Sequence, residues 1–331
     1  MSFRSKNLLV TGGCGFIGSN FIEYIFKKYK NVNVINLDSL TYASNSNTLD
    51  NYNDNKRYFF VKGNICDEVL LDKIFKKYMI DGVINFAAES HVDNSILNPD
   101  IFLKTNINGV LSLLKTCRKY WYDEKFNVKS SYKKARFHQV STDEVYGSID
   151  VGSSREIDRY SPNSPYSASK ASADLIVRSF NITYNLNTTI SISSNNFGKN
   201  QHNEKFIPKV IQSISDGIPI PIYGDGLNVR DWIFVLENCK AIDLIFNLGK
   251  SGDTYNVGGK NQFNNLEIVE MIHKIILEKK KCDKHIKFID DRPGHDRRYS
   301  LNINKIMKKL GWIPNKKNFK KNFRDYILNK I

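Results

Sequence analysis

VTGGCGFIGSNF, residues 10–21, joins a short apolar run to a segment of helical periodicity through a turn that contains four glycines. The glycines at 13, 15 and 18 match the pattern G-x-G-x-x-G, and those at 12, 15 and 18 match G-x-x-G-x-x-G. Glycines at this spacing allow a tight turn, a close approach of the backbone to a diphosphate, and close packing of the helix on the strand. The start of the helix then offers unpaired N–H groups and the positive end of its dipole. The stretch therefore predicts the first strand, turn and helix of a dinucleotide-binding fold.

An acidic residue follows where such a fold needs one. Asp38 ends the next apolar run, twenty residues beyond Gly18. A carboxylate at this place accepts hydrogen bonds from both hydroxyls of an adenosine ribose, and it repels a 2′-phosphate. The sequence therefore predicts NAD, rather than NADP, as the cofactor.

Short β-branched or aromatic runs alternate along the first part of the chain with amphipathic stretches of helical periodicity. The helical stretches cover 16–29, 67–79, 100–120 and 166–185. This rhythm predicts an α/β fold with a Rossmann-like doubly wound parallel sheet, covered by helices on both faces. The strand-like runs are NLLVT (7–11), VNVINL (32–37), RYFFVKG (57–63), GVINFAA (82–88), ARFHQVST (135–142) and TTISIS (188–193).

The alternation of strand-like and helical stretches becomes irregular after about residue 195, where helices and turns rich in Pro and Gly follow, such as DGIPIPIYGDG at 216–226. This change predicts a smaller, mostly helical C-terminal substrate lobe over the strand ends, where such sheets bind their ligands. We expect residues 1–194 to form the NAD-binding domain that carries the catalytic residues. Residues 195–331 are expected to form the second lobe, with some chain exchange near 230–260.

Composition restricts the class of protein. The chain has 331 residues, of which 41% are hydrophobic and 12% aromatic, enough for a large core. No run of about 18 apolar residues occurs, and the N-terminus leads directly into a strand, so we expect a cytoplasmic protein that does not bind membranes. Five cysteines without a C-x-x-C pattern predict free thiols, with neither a disulfide framework nor a metal site: Cys14, Cys66, Cys117, Cys239 and Cys282.

The chain is strongly basic, with 49 Lys and Arg against 34 Asp and Glu and a formal charge of +15. The lysines occur in short scattered groups among asparagines, without the aromatic residues or zinc-finger spacing of nucleic-acid-binding proteins. We therefore expect solvated helix faces and no nucleic-acid partner. A positive field would favour small anionic substrates.

Tyr166 and Lys170 lie four residues apart in YSASK, on one face of a predicted helix. A free tyrosine has a pKa of about 10 and is a poor base at neutral pH. A nearby ammonium and an oxidised nicotinamide both favour the phenolate. The pair follows a glycine loop and a ribose acid in chain order, so we interpret Tyr166 as a catalytic base rather than a surface side chain.

Adjacent carboxyl groups occur in STDEVYG, residues 141–147, where a predicted core strand ends. Asp143 and Glu144 repel each other, and burial of either charge is unfavourable. The tripeptide that they form with Thr142 is either a polar strand-end turn or helix cap, or a catalytic group.

Several stretches resemble the extended short-chain dehydrogenase/reductase family, and within it the nucleotide-sugar 4,6-dehydratases that act on dTDP-glucose. The glycine loop and Y-x-x-x-K mark only the superfamily, whereas STDEVYG, ESHVD and RPGHDRRY are specific to the dehydratase branch. Together the stretches run from residue 7 to about residue 300. They are LLVTGGCGFIGSNF, NLDSLTYA, FAAESHVDNSI, TNINGVLSLL, STDEVYGS, SPNSPYSASKASAD, SSNNFG, EKFIPKVI, PIYGDGLNVRDW, YNVGG and DRPGHDRRY.

The resemblance implies a reaction and a role for each catalytic candidate. NAD oxidises C4 of dTDP-glucose, water leaves across C5 and C6, and hydride returns to C6, which gives the 4-keto-6-deoxy sugar of rhamnose biosynthesis. Tyr166, with Lys170, removes the proton of the C4 hydroxyl, and Thr142 hydrogen-bonds O4. Glu144 is the base at C5, and Asp143, held protonated, is the acid at O6. A UDP-glucose 4,6-dehydratase and a nucleotide-sugar 4-epimerase of the same family remain alternatives.

The same resemblance implies two sets of binding residues and a homodimer that pairs through helices at about 99–120 and 165–186. His91 and His138 are expected to be packed rather than catalytic. The cofactor set, besides Tyr166 and Lys170, is Gly12, Gly15, Phe16, Ile17, Gly18, Asp38, Ser39, Leu40, Thr41, Asn64, Ile65, Phe86, Ala87, Ala88, Ser90, Thr105 and Asn196. The substrate set is Ser90, Thr142, Asn195, Glu204, Lys205, Arg230, Asn265, Asp291, Arg292, Pro293, Gly294 and His295.

Four positions depart from the family pattern. Asn64 stands where Asp is common, Asn94 where Arg usually follows HVD, Asn238 where His is usual, and Ile192 where Arg often precedes SNN. None of them belongs to the set of Thr, Asp, Glu, Tyr and Lys that is expected to carry out the reaction.

Overall fold

A computed structural model describes residues 3–279 and 283–331. At its centre seven parallel strands form one sheet, in the spatial order β10-β6-β5-β4-β1-β2-β3. Two smaller sheets, β11-β9-β7 and β12-β8, belong to the C-terminal part. The strands are β1 (Asn7–Thr11), β2 (Asn33–Asp38), β3 (Tyr58–Lys62), β4 (Gly82–Asn85), β5 (Arg136–Thr142), β6 (Thr188–Ser193), β7 (Asn195–Phe197), β8 (Ile220–Tyr223), β9 (Val229–Phe234), β10 (Thr254–Val257), β11 (Gln262–Asn264) and β12 (Ile286–Ile289).

Helices cover both faces of the large sheet. One face carries α2, α5 and α6, and the other carries α1 and α8, each with its own buried apolar cluster. The helices are α1 (Phe16–Lys28), α2 (Glu68–Tyr78), α3 (Val92–Leu97), α4 (Pro99–Phe102), α5 (Gly109–Trp121), α6 (Pro165–Tyr184), α7 (Phe206–Asp216), α8 (Val235–Leu248), α9 (Asn265–Leu277), α10 (Asn304–Leu310) and α11 (Phe319–Leu328).

The architecture confirms the predicted α/β fold and all six predicted strands of the parallel sheet. The helix predicted over 100–120 is interrupted, because residues Leu103–Asn108 form a wider π-helical segment between α4 and α5. The seventh strand, β10, had no clear sequence signal. It is four residues long, and its pairing with β6 is a long-range contact that a local pattern does not reveal.

The C-terminal lobe has a third apolar cluster, formed by α7, α9 and α11 together with β8 and β9. The lobe that the sequence predicts to be mostly helical therefore also contains two small sheets. The chain returns from this lobe to the large sheet between residues 235 and 257, where α8 packs on α1 and β10 extends the sheet beyond β6. The exact division of the chain at residue 194 stays a prediction.

A buried carboxylate ties α8 to α1. Asp243 accepts hydrogen bonds from the hydroxyls of Tyr24 and Tyr29, each at 3.0 Å, and from the ammonium of Lys28 at 2.5 Å. Asn247, one turn further along α8, donates to the same carboxylate at 2.8 Å. The charge of Asp243 is thus satisfied far from the carboxyl ends of the strands.

Four of the five cysteines, Cys14, Cys66, Cys117 and Cys239, carry free thiols, and Cys282 lies outside the described residues. Among the described residues, no helix combines the length and the apolar character needed to cross a lipid bilayer.

Candidate active site

A cavity of about 420 Å³ lies at the carboxyl ends of β1, β2, β4, β5 and β6. These strands are parallel, so the loops that follow them meet at one edge of the sheet. The segment from Ser194 to Phe206 of the second lobe closes the cavity from the other side. The cavity wall includes all five catalytic candidates and every cofactor candidate except Leu40.

The glycine loop forms the floor of this cavity. Gly12 adopts a φ of +68°, a left-handed conformation that suits glycine. A Cβ atom at Gly18 would lie 2.3 Å from the carbonyl oxygen of Gly12, so only glycine lets α1 start this close to β1. Gly13 packs instead against Asn36, where a Cβ would meet the side-chain oxygen at 2.2 Å. The glycines at 12, 15 and 18 are therefore the ones that line the cavity.

The start of α1 suits an anion. Gly15 is the N-cap residue of the helix, and no side chain caps its first N–H groups. The N–H groups that open the helix are thus left for a ligand in the cavity, together with the positive end of the helix dipole. These residues fit the diphosphate of a dinucleotide.

Asp38 is buried at the end of β2 and is held from three sides. Its carboxylate accepts hydrogen bonds from the N–H of Cys14 at 2.9 Å, the N–H of Leu40 at 2.8 Å and the hydroxyl of Ser44 at 3.0 Å. Leu40 reaches it because its backbone is left-handed, with a φ of +53°. Leu40, predicted to contact the cofactor, orients Asp38 through its N–H and is absent from the cavity wall.

Thr142 ends β5, and Asp143 and Glu144 begin a short 3₁₀ turn, Asp143–Tyr146. The hydroxyl of Thr142 accepts a hydrogen bond from the N–H of Glu144 at 3.4 Å and so caps this turn. The two interpretations of the tripeptide are therefore compatible. The cap places all three side chains in the cavity wall.

The two carboxyl groups have unequal surroundings. Burial raises the pKa of Asp143 well above its ordinary value, and the charge of Glu144 raises it further, with Arg230 opposing. Burial also raises the pKa of Glu144 above its ordinary value, although the charges of Arg292, Arg230 and Lys205 offset part of this effect. One oxygen of Asp143 is buried without a hydrogen-bond partner among the described residues. The surroundings thus favour a protonated Asp143 beside a Glu144 that cations help to ionise.

Tyr166 and Lys170 face the same cavity from the first turns of α6. The ammonium of Lys170 donates to the carbonyl oxygen of Val140 at 2.7 Å. The expectation that Lys170 lowers the pKa of Tyr166 is wrong for the protein groups alone. Burial and the charges of Glu144 and Asp143 raise the pKa of Tyr166, and a hydrogen bond with Thr142 opposes them.

Part of the predicted substrate set lies in the same cavity, namely Ser90, Thr142, Asn195, Glu204 and Lys205. The ammonium of Lys205 donates to the carbonyl oxygen of Ser90 at 2.9 Å and lies 4.0 Å from Glu204. The carboxylate oxygen of Glu204 that faces Lys205 is buried without a hydrogen-bond partner among the residues described. These groups connect the loop after β4 with the second lobe.

The rest of the predicted substrate set lies outside the cavity wall, because it belongs to second-lobe segments held by their own neighbours. Arg230 donates to the carbonyl oxygen of Asp296 at 2.9 Å and stacks on Tyr299 at 4.3 Å. Arg292 lies 3.4 Å from a carboxylate oxygen of Asp93 on α3. The set outside the wall is Arg230, Asn265, Asp291, Arg292, Pro293, Gly294 and His295.

The four departures from the family pattern have separate surroundings. Asn64 lines the cavity, and its oxygen accepts from the N–H of Cys66 at 2.8 Å. Asn238 is buried and donates to Asn196, a cofactor candidate, at 3.0 Å. Asn94 donates to the hydroxyl of Tyr42 at 3.3 Å. Ile192 is packed in the apolar cluster of α5 and α6, away from the cavity wall.

Both histidines that the sequence suggested were packed are in contact with neighbours. The ring nitrogens of His138 lie 2.9 Å from the hydroxyl of Thr189 and 3.0 Å from that of Ser191. Burial lowers the pKa of His138 to about 3, so the ring is neutral. His91 caps α3 by accepting from the N–H of Asn94.

Several cavity residues had no signal in the sequence. Gln201 and His202 follow β7 in a loop without a motif, and they reach the cavity only because the second lobe folds over it. Asn106, in the π-helical segment, is outside the cavity wall, but its side chain accepts from the N–H of Glu89 at 2.9 Å and donates to the carbonyl oxygen of Glu89 at 3.0 Å and to the hydroxyl of Ser169. It stands within TNINGVLSLL, so the motif marked the segment but not the contact.

No three His, Cys, Asp or Glu side chains in residues 3–279 and 283–331 are arranged to hold a metal ion.

Comparison with known proteins gives similarity along nearly the whole chain. A protein-family profile described as GDP-mannose 4,6 dehydratase matches residues 9–325. The dTDP-glucose 4,6-dehydratase of Xanthomonas campestris pv. campestris (strain B100) is 45% identical over 313 residues, which cover 92% of this chain and 88% of that protein.

Two solved structures extend the similarity to three dimensions. A dTDP-glucose 4,6-dehydratase from Streptomyces venezuelae with NAD bound has a TM-score of 0.89 at 38% identity, and the match covers 97% of this chain and 96% of that chain. A dTDP-glucose 4,6-dehydratase from Bacillus anthracis str. Ames in complex with NAD has a TM-score of 0.86 at 40% identity, over 97% and 95% of the two chains. The similarity thus includes both lobes and the cavity between them.

Proposed function

The chain belongs to the dTDP-glucose 4,6-dehydratases of the NAD-dependent epimerase and dehydratase family, and we propose that it is a hydro-lyase that converts dTDP-glucose into its 4-keto-6-deoxy product. The observation that carries the proposal is the pair of unequal carboxyl groups, Asp143 and Glu144, in one cavity wall with Tyr166 and Lys170. Removal of water needs an acid and a base at once, whereas epimerisation at C4 needs neither of these two groups.

NAD is the cofactor of the proposed reaction. The loop of Gly12, Gly15 and Gly18 with the first N–H groups of α1 would hold its diphosphate, and Asp38 would hold its adenosine ribose. When bound, NAD supplies the oxidising power at C4 of the sugar and is restored when C6 is reduced. The carboxylate of Asp38 disfavours a 2′-phosphate by charge and so favours NAD over NADP.

Tyr166 and Thr142 act at O4 of the sugar. Tyr166 takes the hydroxyl proton, and the hydroxyl of Thr142 holds O4 as the ketone forms. The protein groups around Tyr166 raise its pKa, and an oxidised nicotinamide, when bound, would supply a positive charge that favours the phenolate. Lys170 lines the same cavity and binds the carbonyl oxygen of Val140 at the end of β5.

Glu144 and Asp143 act at C5 and C6. The C4 ketone makes the C5 proton acidic, because the negative charge left on C5 spreads onto the carbonyl oxygen. Glu144 takes this proton, and Asp143 gives its own proton to the departing C6 hydroxyl, which leaves as water. Acid or base assistance of this kind contributes about 10² to 10⁴ in rate for each group.

Incubation with dTDP-glucose tests the function. We expect the ultraviolet absorbance that 4-keto sugars develop in alkali, with one water lost for each sugar by mass spectrometry. Parallel reactions with UDP-glucose decide the alternative nucleotide, and we expect at least tenfold slower turnover with it. Epimerised sugar without a ketone would overturn the proposal in favour of a 4-epimerase.

We propose that the functional unit is a homodimer paired through the helices at 99–120 and 165–186. Large apolar side chains are exposed on this face, with Leu103 45%, Leu175 57% and Ile182 63% accessible. The segments that carry them are neighbours, because α6 packs on α4, on the π-helical segment and on α5. Such a patch on a soluble enzyme is typical of a protein interface.

Charge placed on this face should separate the dimer. The double change Leu175→Glu with Ile182→Glu is expected to convert the protein from a dimer to a monomer in light scattering, because each buried carboxylate would lack a partner. Val151→Glu is the control, since Val151 is 90% exposed and lies outside these helices. A wild-type protein that is monomeric at micromolar concentration would contradict the dimer.

The cytoplasm is the proposed location. Four free thiols, two of them, Cys117 and Cys239, fully buried, suit a reducing compartment. A small anionic substrate also suits the strongly basic chain.

A further inference from the structure

Asp174 carries a buried carboxylate that does not line the active-site cavity. It has no role in the proposed reaction. Asp174 lies on α6 one turn beyond Lys170 and is 1% exposed. One of its oxygens accepts the hydroxyl of Ser141 at 2.5 Å and that of Tyr160 at 3.4 Å. The other oxygen is buried without a hydrogen-bond partner in the part of the chain that the structure describes.

This arrangement joins α6 to the last residues of β5 at two successive points. Lys170 donates to the carbonyl oxygen of Val140, and Asp174 accepts from the next residue, Ser141. The residue after Ser141 is Thr142, and the two carboxyl groups follow at once. The position of the acid and the base therefore depends on a strand end that α6 holds through this pair of side chains.

Asp174 is also the charged group that balances Lys170. Burial lowers the pKa of Lys170, and Asp174 is the only group that raises it among the described residues. In return, Lys170 is the charged group that opposes the effect of burial on Asp174. A buried ammonium without an opposite charge loses its proton more easily.

We propose that Asp174 is a positioning residue of the active site, which holds the end of β5 through Ser141 and keeps the buried Lys170 in its charged form. The inference rests on the proposed function in one respect, since Lys170 is counted there among the catalytic groups. The hydrogen bond of Asp174 with Ser141 and its place one helical turn beyond Lys170 are independent of which sugar is the substrate.

The pH range in which Asp174 acts follows from its surroundings. Burial raises the pKa of Asp174 to about 7, while Lys170 on the same helix and hydrogen bonds from Ser141 and Tyr160 lower it. Tyr146 and Tyr166 also face this charge, which raises the pKa of each of them. The carboxylate of Asp174 is therefore ionised above neutral pH, and in this range its charge raises the pKa of Lys170.

Competitive labelling of the protein without substrate gives the first test. The rate at which acetic anhydride modifies Lys170 is followed against pH by mass spectrometry of the peptide that carries it. In Asp174→Asn the apparent pKa of Lys170 should fall by about one unit or more. Asp174→Glu should return it to within about half a unit of the wild type.

Asp243→Asn is the matched control. It also removes a buried carboxylate with a lysine partner, but on α8 and away from the cavity. We expect the pKa of Lys170 to be unchanged in this variant. A pKa in Asp174→Asn that equals the wild-type value would overturn the charge-balancing part of the proposal.

Kinetics gives a second test that separates positioning from general damage. In Asp174→Asn the alkaline limb of the kcat profile should move to lower pH, with KM for dTDP-glucose within about threefold, whereas loss of folded protein would lower kcat equally at every pH.

Ser141→Ala keeps the carboxylate and removes its hydroxyl donor, so kcat should fall about tenfold with the Lys170 pKa unchanged. Full activity of Ser141→Ala would overturn the strand-holding part.

The two proposals fail in different ways. If the wild-type protein converts neither dTDP-glucose nor UDP-glucose, the proposed function is wrong, while the labelling of Lys170 still decides the role of Asp174. If the sugar is dehydrated and the Lys170 pKa is the same in every variant, the function stands and the role of Asp174 is wrong.

Discussion

Glu144→Gln is expected to slow formation of the 4-keto-6-deoxy sugar by about 10² to 10⁴, one of the two largest effects among the changes considered. Glutamine has nearly the same size and keeps the hydrogen-bonding capacity of one oxygen, but it cannot accept the C5 proton. Glu144 is the carboxyl group that three cations, Arg292, Arg230 and Lys205, help to ionise. The change therefore removes the base and leaves the remaining cavity in place.

The measurement has two parts. Alkali-induced absorbance reports the product, and reaction in D₂O followed by mass spectrometry reports exchange of the C5 hydrogen. Glu144→Gln should lose both signals. Asp143→Asn, the matched variant, should lose product but keep part of the C5 exchange, because its base is intact and its acid is missing. Wild-type rates of water loss in Glu144→Gln would remove the basis of the dehydratase mechanism.

Tyr166→Phe is expected to reduce the whole reaction by a comparable factor, about 10² to 10⁴, because it removes the base at O4 before any ketone forms. Phenylalanine keeps the ring, which packs edge-on against Phe102 at 6.3 Å. Loss of stability is therefore expected to be small. The step affected precedes that of Glu144, so C5 exchange should disappear together with the product.

A neighbouring tyrosine supplies the control for this change. Tyr146 is buried close to the same strand end, and its hydroxyl binds Asn256 at 3.0 Å, but it does not line the cavity. Tyr146→Phe should keep kcat within about threefold. Equal losses in Tyr146→Phe and Tyr166→Phe would mean that any change near this strand end disturbs the site, and the role of Tyr166 would be contradicted.

The cofactor side of the site was largely predictable, because it depends on contacts close in sequence. The turn at Gly12, the start of α1 at Gly18 and the acid at Asp38 lie within one strand–helix–strand unit. A Cβ atom at Gly12 or Gly18 would lie too close to neighbouring backbone atoms, so glycine is required there. Asp38 ends β2, the strand that pairs with β1. The same holds for Tyr166 and Lys170, which one helical turn places on one face.

The substrate side was less predictable, because it depends on how the second lobe meets the first. Gln201 and His202 enter the cavity from a loop without a motif, whereas Arg230 and Arg292 stay outside its wall and act on Glu144 through their charge. The raised pKa of Tyr166 was missed for the same reason. It results from burial and from two carboxyl groups on another element, which a local pattern does not measure.

The amino-acid sequence by itself determined the α/β class, the dinucleotide loop, the preference for NAD and the candidates for the catalytic groups, because periodicity, glycine sterics and side-chain spacing operate over a few residues. Only the tertiary structure decided how burial and nearby charges act on the two carboxyl groups, and that Asp174 binds Ser141 at the end of β5. It also decided that β10 completes the sheet. The pairing of β10 with β6 joins residues that are far apart in the sequence. The pKa shifts arise from burial and from charges that the fold brings together, because the free energy of an ionised group depends on its surroundings in space.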